Sequence, residues 1–478
     1  MPPKILVINE PFVKGFCRTQ RWAARTRGRV LRAPDWLAYC TAVLEREGFD
    51  TELYDFPANN WNKQKLASLI KEKSPDFVVL DSTTPSIYSD IECARICKEN
   101  SNAHVIMVGP HVSVLAKETL EQAGGSVDVG VMGEYDFAVR DTIKYFDNLH
   151  TVDGIAFWEK GQVRFTARRP LIENLDEVPF PAWRHLDLMK YFDGGKLYPY
   201  IDIISGRGCP NQCIFCLWPQ TVHGTRYRLR SAKNVVDEIE RDIALCPQVL
   251  KGGEFFFEDD TFTVDKKRAM AICEEILARN LKITFSVNAR VDSYDDAMFA
   301  VMKRAGCREL LVGFESADQD ILNNVHKNIR IEQMHEFMRL AKKHTLEVHG
   351  CFVFGLPGET RETIKKTTNF ALSLGLNTVQ FSAAVPFPGT SYYELCKEKG
   401  WLKSTDWRQW LKEGEQATVI SYENLSSKEV DGAVDNALRK FYLRPGYIFN
   451  FIFTNRSFSD LYRKFRGAFN FFSYLFSK

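Results

Sequence analysis

Short apolar runs recur along the first 150 residues, and each is followed by a stretch whose apolar positions return with helical period. Residues 4–8, 51–55, 77–81, 104–108 and 127–132 read as strands, and 36–46, 62–72, 86–99, 113–123 and 135–147 read as amphipathic helices. Runs of this kind without polar alternation need cover on both faces. Strands separated by helices therefore predict a doubly wound parallel α/β sheet. The alternation returns further on, with strands at 200–205, 254–258, 282–288, 309–314, 348–354 and 377–383 and helices at 231–245, 265–279, 295–305, 318–324, 331–344 and 360–374. Six strand–helix units predict a partial (βα)6 barrel, open on one side, because a full barrel needs more chain. A hairpin over 154–166 turns at Lys160 and Gly161, and a proline-bearing crossing follows. The expected plan is a doubly wound domain at 1–150, hairpin and linker at 151–199, partial barrel at 200–395 and a mostly helical region at 396–478.

Composition changes this picture little. The 478 residues are 45% hydrophobic and 26% charged, with net charge +2, so global charge demands no nucleic-acid partner. Twelve cysteines are too dilute for a disulfide scaffold. The start of the chain leads directly into a strand rather than a signal peptide, and no apolar run is long enough to span a bilayer. A reducing cytoplasm is the expected setting.

In sheets of this type ligands sit beyond the carboxyl ends of the strands. In the first domain those ends carry Ser82, Thr83 and Thr84, then Gly109, Pro110 and His111, then Gly133 and Glu134. Small and hydroxylic residues let a large flat ligand approach the backbone. In the barrel the ends carry Glu258, Asp259 and Asp260, then Asn288 and Arg290, then Glu315, then Phe354 and Gly355. Three adjacent carboxylates would repel one another without a nearby cation.

The densest chemistry follows the first barrel strand. Cys209, Cys213 and Cys216 are spaced C-x3-C-x2-C, with Phe215 before the third. Three thiolates on one loop can hold three irons of a [4Fe–4S] cluster and leave the fourth open. The competing reading is a zinc knuckle with His223 as fourth ligand, although no second cysteine pair follows.

This motif at the end of a first barrel strand resembles the radical S-adenosylmethionine (SAM) enzymes, and the domain order resembles their cobalamin-binding-domain subgroup. The stretch from Cys216 to Arg228 is similar to the hopanoid-biosynthesis enzymes that form a cyclitol head group. The resemblance implies that Cys209, Cys213 and Cys216 bind the cluster. It implies that Phe215, Asp259, Asp260, Asn288, Arg290, Glu315, Phe354 and Gly355 surround SAM. It also implies that the strand ends of the first domain hold cobalamin, without a histidine ligand because no D-x-H-x-x-G motif occurs. The expected activity is hydrogen abstraction by a 5′-deoxyadenosyl radical, rearranging a lipid-linked sugar head group to a cyclopentane polyol, with a flavodoxin- or ferredoxin-type electron donor. The alternatives are radical C-methylation through cobalamin, and a non-catalytic cluster protein.

Two charged stretches remain. Between Glu10 and Asp35 lie Lys14, Arg18, Arg21, Arg25, Arg27, Arg29 and Arg32 with no acid, which could hold a phosphate or an anionic surface, or form a solvated loop. From Arg439 to Lys478 the chain holds 14 aromatics, eight Lys/Arg and one acid, Asp460. This composition predicts an interfacial helix on the inner membrane surface, or a helix packing its aromatic face on the barrel.

Overall fold

The computed structural model describes all residues except 1, 11, 14, 20–22, 25, 413–414, 417, 454–457 and 477–478. Strands β1 (Lys4–Asn9), β2 (Asp50–Asp55), β3 (Phe77–Asp81), β4 (His104–Val108) and β5 (Val129–Val131) form the parallel part of the first sheet in the order β2-β1-β3-β4-β5. Helices cover both faces, which is why every residue of β3 is buried. The hairpin, expected in the linker, instead completes this sheet: β6 (Ile155–Glu159) pairs antiparallel with β5, and β7 (Gln162–Phe165) forms the exposed edge. Ile155, Ala156 and Phe157 are buried, and that burial draws the hairpin in.

The second sheet is β8 (Tyr200–Ile203), β11 (Glu254–Phe257), β12 (Phe285–Ala289), β13 (Cys307–Glu315), β14 (Glu347–Phe354) and β15 (Thr378–Ala383), all parallel in that spatial order. Between the first two, β9 (Gly206–Arg207) and β10 (Arg228–Leu229) pair antiparallel and bracket the cysteine loop. One sheet face packs on the helices. The other is less covered: Asn288, Leu311, Gly313, His349 and Cys351 alternate with fully buried neighbours.

The two sheets are joined through buried polar contacts. Arg228 makes a two-pronged ion pair with Glu134 at 2.6 and 2.8 Å, and Arg207 pairs with Asp136 at 2.7 Å. Tyr39 donates to Glu238 at 3.2 Å, and Arg207 lies over Trp36. One apolar core runs through both sheets.

The basic N-terminal segment is not a solvated loop at the cations described. Arg18 is buried against Asp90 at 2.9 Å, Arg27 pairs with Asp435 at 2.9 Å, and Arg32 bridges Asp193 and Glu258, each at 2.9 Å. At these arginines neither alternative, a phosphate or anionic surface on one side and a solvated loop on the other, describes the segment, because protein carboxylates already satisfy the guanidiniums. Lys14, Arg21 and Arg25 lie outside the described residues.

After β15 come helices Ser427–Tyr442, Pro445–Phe453 and Phe458–Phe476. The first begins in a Ser426–Glu429 capping box, and Tyr442 closes on the edge strand, with its hydroxyl 3.0 Å from the Val379 nitrogen and 2.6 Å from its carbonyl oxygen.

Candidate functional site

The cysteine loop is held by an array of backbone contacts. Gly208 has φ +91°, and a Cβ there would stand 2.3 Å from the Arg226 carbonyl oxygen, so only glycine fits. The Cys216 nitrogen donates to the Cys213 carbonyl at 3.1 Å, and the Ile214 nitrogen to Val325 at 3.1 Å. Gln220, which the sequence reading missed, donates to the carbonyls of Cys213, Ile214 and Cys216 at 3.3, 3.0 and 2.8 Å. None of the three cysteines is in a disulfide; Cys213 is buried and Cys209 and Cys216 are partly exposed. Three cysteine sulfurs on one braced loop, with positive charge near by, are a fitting donor set for a cluster. The Arg290 guanidinium lies 3.9 Å from the Cys213 sulfur while forking onto Asp292 at 2.8–2.9 Å. Lys327, also missed, is buried with its ammonium 2.6 Å from Glu315. Glu315 itself takes a left-handed conformation (φ +63°), rare for a residue with a side chain, where β13 slips register against β14.

The carboxylate triplet has a different employment from the one expected. Glu258 pairs with Arg32. Asp259 is fully buried and accepts from the Ser205 nitrogen at 2.6 Å, the Ser205 hydroxyl at 2.5 Å and the Gly206 nitrogen at 3.1 Å. Asp260 accepts from the Gly208 nitrogen and bonds His223 Nδ1, both at 3.0 Å. Each negative charge is met by protein donors, so no ligand ammonium is needed to relieve repulsion, and two of the three brace the entrance to the cysteine loop. His223, the candidate zinc ligand, packs instead against both Trp36 and Trp218, with centroid distances of 4.4 and 5.1 Å.

Asn288 lies half-buried on the less covered sheet face and donates to the Asp259 carbonyl at 3.0 Å. Phe215 is half-buried beside the loop. Phe354 is a correction: it is fully buried in the core, stacked on Phe381 at 5.3 Å, because it falls on the helix-facing side of β14. Gly355 follows it with φ +85°, its carbonyl accepting from Tyr392 and Tyr422 at 3.0 and 2.8 Å.

At the ends of the first sheet, Thr83, Thr84 and Pro110 line a small gap of about 10 Å³, room for about one water, together with Arg18 and Ala23, Leu217 and Trp218 just after Cys216, and Phe387 beyond the last barrel strand. Small, hydroxylic and apolar walls suit the rim of a flat macrocycle, although the gap is far smaller than a corrin and these walls would have to part to admit one. Ser82 is turned into the sheet, donating to the Val108 carbonyl at 2.6 Å. Gly109 permits close passage, since a Cβ there would meet the Asp81 carboxylate at 2.1 Å. Pro110 opens the helix three residues before the expected start, which buries His111 in its first turn. His111 bonds Thr84 Oγ1 at 3.0 Å and meets Trp407 edge-on, and burial lowers its pKa to about 3. It stays neutral. Gly133 has φ +77°, and Glu134 is committed to Arg228.

Comparison with known proteins settles the class. The Radical SAM superfamily profile matches residues 203–371, and the B12 binding domain profile matches residues 33–142. An uncharacterized methyltransferase, PH0819, of Pyrococcus horikoshii is 32% identical over 429 residues, covering 89% of this chain and 91% of its own. The chain belongs to the radical SAM enzymes that carry a B12-binding domain. An anaerobic magnesium-protoporphyrin IX monomethyl ester cyclase of Cereibacter sphaeroides is 27% identical, covering 86% of this chain and 67% of its own. The fold matches the methyltransferase TsrM of Kitasatospora setae, solved with cobalamin and a [4Fe–4S] cluster, at TM-score 0.73 and 18% identity over the whole of both chains. Membership in this family brings a [4Fe–4S] cluster, SAM and cobalamin as cofactors. The finer likeness to cyclitol-forming enzymes goes beyond what these matches establish.

Proposed function

We propose that this radical SAM enzyme is a cobalamin-dependent C-methyltransferase, a reading that replaces head-group rearrangement as the first choice. The observation that carries it is the shared cavity: Thr83, Thr84 and Pro110 at the first sheet and Leu217 and Trp218 beside the cysteine loop line one space. Transfer of a one-carbon group between two cofactors needs such adjacency, whereas hydrogen abstraction alone does not. The relative of matching length, named a methyltransferase, supports the same reading. When bound, the cluster supplies the electron that cleaves SAM, and cobalamin supplies the methyl-carrying chemistry.

The chain's own part is holding and shielding. Cys209, Cys213 and Cys216 would hold the cluster, and Gln220 fixes their loop. Arg290 and Lys327 offset the negative charge of the thiolates. Phe215, Asn288, Glu315 and Gly355 would surround SAM, and Asp259 and Asp260 act one step back by fixing the loop. Thr83, Thr84, Gly109 and Pro110 would meet the corrin. An electron donor of flavodoxin or ferredoxin type would complete the cycle.

The test uses SAM with a deuterated methyl group, given anaerobically to cobalamin-loaded protein with a reductant and extracted small molecules and lipids. Label should appear in a product, and Cys213→Ala protein should transfer none. A second reading, cyclitol formation on a lipid-linked sugar at the inner membrane surface, draws support from the exposed aromatic C-terminal helices. It predicts 5′-deoxyadenosine, with the label left in the methionine released and none in the substrate-derived product.

A further inference from the structure

The last two helices pack Tyr447 and Phe471 on the core and still leave aromatic residues on the side away from it. The side of Phe458–Phe476 turned to the body is mixed, with Phe471 5.5 Å from the Tyr442 ring beside a polar cluster. Asp460 is buried and paired with Arg463 at 2.6 Å and Lys464 at 3.4 Å, and Arg463 donates to the Gly194 carbonyl at 2.8 Å. Tyr474 is buried, its hydroxyl 2.7 Å from Asp435. The side turned away is aromatic: Tyr462, Phe465 and Phe469, at i, i+3 and i+7, are 46, 67 and 74% exposed. On the preceding helix Phe449 and Phe453, one turn apart and in ring contact at 4.5 Å, are 61 and 68% exposed. Burial of aromatic area is a main driving force in folding, so five exposed aromatics on two successive helices need a partner.

Charge selects the partner. The segment 439–478 holds eight Lys/Arg and a single acid. That acid, Asp460, is turned inward and paired, so among the described residues the outer face presents no negative charge. Arg463 and Lys464 turn inward with Asp460, which leaves Arg439 and Lys440 exposed and Arg466 half-buried beside Tyr462, and a second copy would set these cations against their like. Anionic head groups over an apolar interior match both features at once. No described helix is long and apolar enough to cross a membrane.

We propose that Pro445–Phe453 and Phe458–Phe476 form a docking surface for an anionic lipid bilayer, lying in its interface with Phe449, Phe453, Phe465 and Phe469 inserted. The inference stands apart from the methyl-transfer reading and would hold for either product. It places the bilayer next to the chemistry. The Asn470 amide donates to the Gly28 carbonyl at 3.4 Å, and Arg27 bonds both Tyr474 at 3.0 Å and Asp435 at 2.9 Å. A few residues on, Arg32 reaches Glu258 at the end of β11. The docked helix thus holds the segment that enters the barrel mouth.

Co-sedimentation of the full chain with phosphatidylcholine vesicles, with and without phosphatidylglycerol, tests the proposal. The protein should bind the mixed vesicles and be partly released by high salt. Phe465→Ser with Phe469→Ser should weaken partition about tenfold or more, while Phe165→Ser on the far sheet edge should change nothing. Because the double variant could misfold, Arg466→Glu serves as a second probe, weakening binding to the anionic vesicles only. Failure of the native protein to bind either vesicle would overturn the proposal. So would a concentration-dependent dimer abolished by the same double substitution, which would assign the face to a second copy.

Discussion

At the scale of single residues, the cysteines were legible because their chemistry is in their spacing. What holds them was not. The carboxylates at 258–260 read as a charge triplet awaiting a cation, since the sequence shows charges at a strand end but not which backbone N–H groups the next turn brings opposite. Asp259 meets Ser205 and Gly206, and Asp260 meets Gly208. Gln220 lies within the stretch from Cys216 to Arg228, but nothing in the sequence marks its side chain as a brace apart from its position one turn past Cys216. Gln220→Ala should loosen three carbonyl contacts, each worth about 1 kcal/mol. Iron retained after chelator challenge of reconstituted protein should fall severalfold, and unchanged retention would remove Gln220 from the loop's support. Lys327→Met should leave Glu315 buried without its cation, at a cost of about 3–5 kcal/mol read in chemical denaturation. Adding Glu315→Gln should recover much of that loss.

At the scale of elements, apolar runs and helical periodicity located the strands and helices of both sheets to within a few residues, because burial on both faces leaves a plain pattern. The errors fell at ends and edges. Pro110 starts its helix early because a proline suits a first turn, and that draws His111 into the core. The 154–166 hairpin joins the first sheet because β5 offers a free edge, which local sequence does not reveal. The loop between β14 and the helix Arg361–Ser373 leads to a pH prediction. Glu359 is buried there, accepting from the Gly355 nitrogen at 3.0 Å and the Thr363 hydroxyl at 3.1 Å, and burial lifts its pKa from 4.5 to about 7. The folded protein then holds this proton more tightly than the unfolded chain. The stability it contributes is complete below pH 4.5 and is lost as pH rises through about 7. Glu359→Gln keeps an acceptor and removes the titration. Relative to that variant, native protein should lose about 2–3 kcal/mol in unfolding free energy between pH 4.5 and pH 8. Parallel pH profiles for the two proteins would contradict this assignment.

At the scale of the whole molecule, the cation-rich N-terminal segment was the hardest part to read. Arg18 and Arg27 find Asp90 and Asp435, 72 and 408 positions away, and no local pattern carries such distances. The junction between the sheets rests on similar pairings. Arg228→Met should leave Glu134 buried and unpaired, costing about 3–5 kcal/mol and making residues around 170–175 more open to proteolysis. Unaltered stability and cleavage would show that the apolar core alone fixes the junction. The account's central claim is that the two cofactor sites act on one shared cavity to transfer a methyl group. Its most direct test is a product count, without added substrate, on protein loaded with cluster and cobalamin and given SAM and a reductant under anaerobic conditions. The account predicts a burst of S-adenosylhomocysteine equal to the cobalamin bound, lost when cobalamin is omitted. Production of 5′-deoxyadenosine with no S-adenosylhomocysteine would contradict it and return the enzyme to rearrangement chemistry.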